Sequence, residues 1–140
     1  MIDTTVFLDT GFAIALLSRR DSFHTVAKRI ATEMKRQSVR VVTSDAVLLE
    51  IGAALARISY RAAAVKLIAA LRADPAVDIV GMDSRLFDAA FGLFSQRDDK
   101  EWSLTDCLSF VIMEQRDIKQ SLAADEHFAQ AGFVPLLLDR

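Results

Sequence analysis

The chain has 140 residues, 52% of them hydrophobic and 26% charged, which fits one folded domain with a sizeable core and excludes a disordered chain. A formal net charge of −2 excludes a general nucleic-acid coat, which works through a broad positive field, but not a nucleic-acid enzyme with a local basic rim. The lone cysteine, Cys107, has no internal disulfide partner, so a reducing, cytoplasmic setting is expected.

The first 20 residues, MIDTTVFLDTGFAIALLSRR, have a faint likeness to a signal peptide. However, Asp3 and Asp9 stand where a basic start and an unbroken apolar run belong, and Arg19 and Arg20 follow the apolar run instead of preceding it. No uncharged apolar stretch approaches the roughly 18 residues a membrane helix needs, so a soluble chain without membrane contact is expected.

Thr4 to Asp9 is a short β-branched and aromatic run that predicts a buried strand, and Gly11 permits a sharp turn after it. "FAIALLS" predicts a short helix. Asp21 can cap the next one, Ser22 to about Arg36, with Phe23, Val26, Ile30 and Met34 on one face. A second strand follows at Val39 to Thr43. Ser44 can cap a third helix that carries Val47, Leu48, Ile51 and Leu55. An alanine-rich helix over about 61–72 ends before Asp74-Pro75, because the residue before proline avoids helix. "VDIVGM" predicts a third strand, Asp83 caps a helix to about Phe94, and Ser95 to Glu101 is a polar loop. The apolar helix from Leu104 to about Gln115 comes next. "QSLAA" is then a short strand, Asp125 starts a brief helix, and "FVPLLL" is a last strand that Pro135 assigns to an edge. Strands alternating with helices predict a single 1–140 domain, an α/β fold built as a three-layer α/β/α sandwich on a central, mostly parallel sheet.

The acids are informative through their positions. Asp9 ends the first strand and Asp125 follows the short strand near the C-terminus, and ligands of open parallel sheets bind beyond such carboxyl ends. Asp106 and Glu50 lie early in helices that start at the same edge. Four carboxylates in one cleft repel one another. A hard divalent cation, Mg²⁺ or Mn²⁺, takes oxygen ligands, offsets that repulsion, and can activate water against a phosphodiester. Each acid also has a plainer reading. "SLTD" is a capping box in which Asp106 reaches back to the Ser103 amide, Asp125 is a good N-cap before "EHFAQA", and Glu50 can be solvated at the edge of an apolar face. Asp9 is harder to explain that way, since aspartate is depleted in strands. The metal reading accounts for all four together, and a cap can also be a ligand.

Other residues carry less. His24 and His127 have no partners at zinc spacing, and His127 reads first as a solvated surface residue, second as a substrate contact. Cys107 reads as a small core residue and Trp102 as a hydrophobic staple. Neither a Ser-His-Asp arrangement nor a glycine-rich phosphate loop is present. Ser103 and Thr105 are candidates to touch a metal-held water or a phosphate. Lys100, Arg19 and Arg20 are candidates for backbone phosphates, with solvated charge as the simpler reading.

The segments VFLDTGFAIALL, TSDAVLLEIGAAL, DDKEWSLTDCLSFVIM and SLAADEHFAQAGF, in this order and spacing, resemble the PIN-domain family and in particular its VapC-like ribonucleases. The run WSLTDCLSF followed by ADEHFAQAGF is the specific part. The resemblance implies an α/β/α fold with an acidic cleft for Mg²⁺ or Mn²⁺ and hydrolysis of RNA by an activated water. Carried onto this chain, Asp9 and Asp106 would be the central metal ligands, Glu50 a direct or water-mediated ligand and proton acceptor, and Asp125 the residue completing the pocket or placing a second metal. The family's hydroxyl maps to Ser103 or Thr105. One departure is that Ser109 and Phe110 occupy the region where some relatives add an acid, which favours one resident metal, with Glu126 an outlying extra ligand. The resemblance further implies an RNA substrate, a small antitoxin protein and a homodimer, for which the helices from Val47 to Leu71 offer apolar residues, although a buried core explains those too. A non-catalytic binding module on the same fold is the alternative. A receiver-type phospho-acceptor fits less well, since Asp9 is followed by Thr10 and Gly11 and no lysine follows Lys119.

Overall fold

The computed structural model describes residues 1–138. Its elements run β1 (Thr5–Leu8), α1 (Thr10–Leu17), α2 (His24–Gln37), β2 (Arg40–Ser44), α3 (Asp45–Ala54), α4 (Ile58–Ala73), β3 (Val77–Val80), α5 (Ser84–Gln96), α6 (Leu104–Gln115), β4 (Gln120–Leu122), α7 (Glu126–Gln130) and β5 (Val134–Pro135). The five strands form one sheet in the order β3-β2-β1-β4-β5. Every described pairing is parallel, so the expected "mostly parallel" sheet is parallel throughout.

The period-2 pleat sorts the core into two layers. Phe7 and Val42 face α3, α5, α6 and α7, joining Val47, Ile51, Leu86, Cys107, Phe110, Ile112, Met113 and Phe128. Val6, Leu8 and Val41 point the other way onto α1 and α2, with Phe12, Ala15, Ala27 and Ile30. That is the expected α/β/α sandwich. Trp102 packs edge-on against Phe110 at 5.0 Å, and Phe110 packs edge-on against Phe128, also at 5.0 Å. This aromatic chain ties the start of α6 to α7.

Several local readings need correction. Asp21 does not cap α2. Its carboxylate accepts from the Phe23 amide at 2.8 Å, closing a tight turn, and the helix starts only at His24. Gly11 makes no turn. It lies inside α1, where an added Cβ would meet Ala124 at ordinary contact distances of 3.7 and 3.9 Å. The left-handed glycine is Gly132, φ 94°, which reverses the chain after α7. The last strand contracts to two residues, and Pro135 does sit in an edge strand. Ser44 and Asp83 cap as expected, accepting from the amides of Val47 at 3.2 Å and Leu86 at 2.8 Å.

Phe128 is fully buried between the sheet and α6. Phe128→Ala is therefore expected to cost about 3–5 kcal/mol of folding stability. The urea midpoint would report this, and a loss below about 1 kcal/mol would contradict the packing described.

Candidate active site

The carboxyl edge of the sheet opens into a cleft of about 680 Å³ lined by Asp9, Thr10, Gly11, Glu50, Glu101, Ser103, Asp106, Ala124, Asp125, Glu126 and His127. Two other surface depressions are as large, one at the amino ends of the strands and one beside α2 and β3, so size does not single this one out. Its chemistry does. Six lining residues carry carboxyl groups, and none is lysine or arginine.

Asp9 follows β1 directly, and its amide donates to Leu122 O at 3.1 Å, which fixes it between β1 and β4. It is 8% exposed. Burial pushes its carboxyl up to about 7, with further upward pressure from Asp106, Glu50 and Asp125, against the lowering effect of a hydrogen bond from Thr10 N–H. Glu50 sits in the second turn of α3. Its Oε1 accepts the Thr10 hydroxyl at 2.8 Å, so α1 and α3 meet at the cleft wall.

Asp106 is N3 of α6. Ser103 Oγ accepts from the Asp106 amide at 2.9 Å and Asp106 Oδ2 accepts from the Ser103 amide at 3.0 Å, completing the capping box. Asp125 caps α7 by accepting from the His127 amide at 2.8 Å. Capping thus does not take these two acids out of the cleft. Each carboxylate caps a helix and also lines the cleft.

His127 overturns its reading as a solvated surface residue. Its Nδ1 lies 2.9 Å from Asp106 Oδ2 and 3.2 Å from Asp125 Oδ1. One ligand atom from each of Asp106, Asp125 and His127 falls within 4.8 Å of the others, a set able to hold a metal ion. Thr10, Glu101 and His127 are the lining residues sequence reasoning missed or undervalued. Thr10 was legible as the hydroxyl next to a strand-end acid. The other two had no signal of their own. Glu126 lines the cleft but is exposed.

Among the substrate-contact candidates, Ser103 lines the cleft. Thr105 is half-buried in the first turn of α6 and outside the lining. Lys100 is half-buried in the loop before it, close enough to Asp99 to act on its charge. Arg19 is exposed beyond the far end of α1, whose eight residues rise about 12 Å from the cleft.

The donor set fits a hard divalent cation. It is dominated by carboxylate oxygens, which such ions prefer, and Asp9 is held against its ordinary ionisation by burial and by its acidic neighbours. Three helices, α1, α6 and α7, begin at the cleft, and their amino ends favour negative charge there.

The family model described as the PIN domain matches residues 6–134. The chain is 33% identical over 129 residues to the "23S rRNA-specific endonuclease VapC20" of Mycobacterium tuberculosis, in strain H37Rv and in strain CDC 1551, covering 92% of this chain and 95% of the relative. The crystal structure of M. tuberculosis VapC20, described as a sarcin-ricin loop cleaving toxin, superposes with a TM-score of 0.83 at 32% identity, covering 93% of this chain and 97% of that one.

The raised Asp9 carboxyl makes a linkage prediction. Its folded value, about 7, lies above the 3.8 of a free aspartate side chain, so the stability it contributes is full below about pH 4 and is lost as pH rises through about 7. In metal-free protein, Asp9→Asn should therefore raise the melting temperature, with a gain that grows from pH 4 to pH 7 and then levels off. Thermal melts in EDTA across that range test this, and parallel curves for the two proteins would refute it.

Proposed function

The chain belongs to the PIN-domain family, in its VapC-like branch, and from that premise we propose that it is a metal-dependent endoribonuclease of a single 1–140 domain, acting as the toxin of a toxin–antitoxin pair. The observation that carries this reading is the meeting of Asp9, Glu50, Asp106 and Asp125 in a cleft of six carboxyl groups without a lysine or arginine. An RNA phosphate would be repelled from such a cleft unless a cation stood between them.

In this reading Asp9 and Asp106 hold a Mg²⁺ or Mn²⁺ ion, with Glu50 and Asp125 completing its surroundings. When bound, the ion supplies the acidification of water and the charge compensation that phosphodiester hydrolysis needs. The protein's own groups do the rest. The Thr10 hydroxyl fixes Glu50 through Oε1, which leaves Oε2 to accept a proton from the attacking water. The backbone of β1 and β4 holds Asp9 rigidly, and the capping box does the same for Asp106. Ser103 stands at the mouth to contact a phosphate oxygen or an ordered water. Lys100, Arg19, Arg20 and Thr105, outside the cleft lining, are the proposed contacts for flanking RNA.

VapC20 is named as a 23S rRNA-specific endonuclease and described as a sarcin-ricin loop cleaving toxin. That makes 23S rRNA the first substrate to test here. We also propose a reducing, cytoplasmic setting. Cys107 is a free, buried thiol, as suits a reducing cytoplasm. Among the described residues no helix is long and apolar enough to cross a membrane. For the antitoxin and for a second copy, apolar side chains stand in water at Leu49, Ile58 and Val65 on α3 and α4 and at Phe87, Phe91 and Phe94 on α5. Phe87 and Phe91 stack at 6.3 Å between ring centroids.

Purified protein freed of any partner is expected to cleave RNA in Mg²⁺ or Mn²⁺ and not in EDTA. Asp106→Asn or Asp9→Asn should lower the rate by at least about 100-fold while the far-UV spectrum stays native. Retained cleavage in both variants would defeat the proposal, and metal binding without cleavage of any RNA would favour a binding module. Light scattering should give twice the 15.5 kDa chain mass, falling to one chain mass in Phe91→Glu if α5 carries the contact between copies.

A further inference from the structure

Asp106 and Asp125 share a pattern that neither capping nor acidity alone explains. All the described protein donors to Asp106 converge on one oxygen. Oδ2 takes the Ser103 amide at 3.0 Å and the His127 ring at 2.9 Å. All the described donors to Asp125 likewise converge on Oδ1, which takes the His127 amide at 2.8 Å and lies 3.2 Å from the His127 ring. Asp106 Oδ1 and Asp125 Oδ2 have no partner among the described residues. One atom, His127 Nδ1, touches the saturated oxygen of both acids.

Between two carboxylate oxygens, Nδ1 must carry the proton, because a bare ring nitrogen there would set a lone pair against two anions. The bridge therefore holds Oδ2 of Asp106 and Oδ1 of Asp125 close together and leaves the second oxygen of each acid without a protein donor among the described residues. Unbridged, they would rotate apart or take donors on both oxygens.

Resting on the metal-dependent reading above, we infer that His127 is a positioning residue, a bridge whose Nδ1–H presets Asp106 and Asp125 as single-oxygen ligands for the divalent cation. In this arrangement His127 acts through Nδ1 on the two acids and does not bind the cation through that atom. Its Nδ1 is engaged with the acids, and its contribution passes through them, as outer hydrogen bonds commonly orient metal ligands.

Asparagine, glutamine and alanine at position 127 separate this role from the others. An asparagine amide nitrogen can occupy the place of Nδ1 and donate to the same two oxygens. A glutamine amide reaches toward the place of Nε2 and cannot bridge them. The measurement is Mn²⁺ binding by electron paramagnetic resonance, with no RNA present, on proteins whose thermal melts show them folded. His127→Ala and His127→Gln should bind Mn²⁺ about 10- to 100-fold more weakly than the wild type, and His127→Asn within a few-fold of it. Equal affinity in all four proteins would overturn the inference while leaving the nuclease reading intact. Rescue by glutamine and not asparagine would overturn it too, pointing to Nε2 as a direct contact. Failure of the wild type itself to bind Mn²⁺ would overturn both this inference and the reading it rests on.

Discussion

In a parallel sheet each return crossing runs outside the sheet, so every strand leaves at the same edge and most helices start there. Five parallel strands here bring the residue after β1, the first turns of α1 and α6, the second turn of α3 and the residue before α7 to one place. Acids that are 19 to 116 residues apart in the chain become neighbours without any long loop. The two hydrophobic layers keep that edge rigid, and the aromatic chain Trp102–Phe110–Phe128 fixes α6 relative to α7, hence Asp106 relative to Asp125.

That convergence sets a conflict between folding and chemistry. Asp9 is almost fully enclosed and surrounded by its own sign of charge, and its carboxyl sits near 7 in consequence. A neutral residue would pack there with less penalty. Around it, hydrogen bonds are distributed unevenly. Thr10 secures one oxygen of Glu50, and Ser103 and His127 secure one oxygen of Asp106. The partly satisfied acids are rigid and still able to accept more, which is the state a binding site needs and a folded core avoids.

Much of this was legible in the sequence because local rules governed it. An aspartate ending an apolar run marked Asp9, S-x-x-D marked the start of α6, and strand–helix alternation gave the sandwich. What stayed hidden depends on distant pairs. His127 is 21 residues from Asp106, and nothing in "DEHF" says that its ring turns back toward α6. Glu50 and Thr10 are 40 residues apart, and only the meeting of α1 and α3 brings them together. Asp21 misled for the opposite reason: aspartate closes tight turns by the same side-chain-to-amide bond with which it caps helices. The exposure of Phe87, Phe91 and Phe94 was equally unreadable, since their spacing on α5 is that of a core-facing stripe.

The capping box at Ser103 and Asp106 has a wider meaning. The same carboxylate oxygen that ends the unsatisfied first turn of α6 also receives the histidine of α7, so the order of a helix terminus and the state of the cleft are written in one group. Helix ends fray on their own, with little free energy separating open from closed. Here any occupant that draws on Asp106 draws on the clasp of α6 as well. The clasp uses one oxygen and leaves the other for a ligand, so a ligand on Asp106 would also steady the first turn of α6, and the amides of Ser103 and Asp106 would exchange with solvent more slowly as the cleft fills.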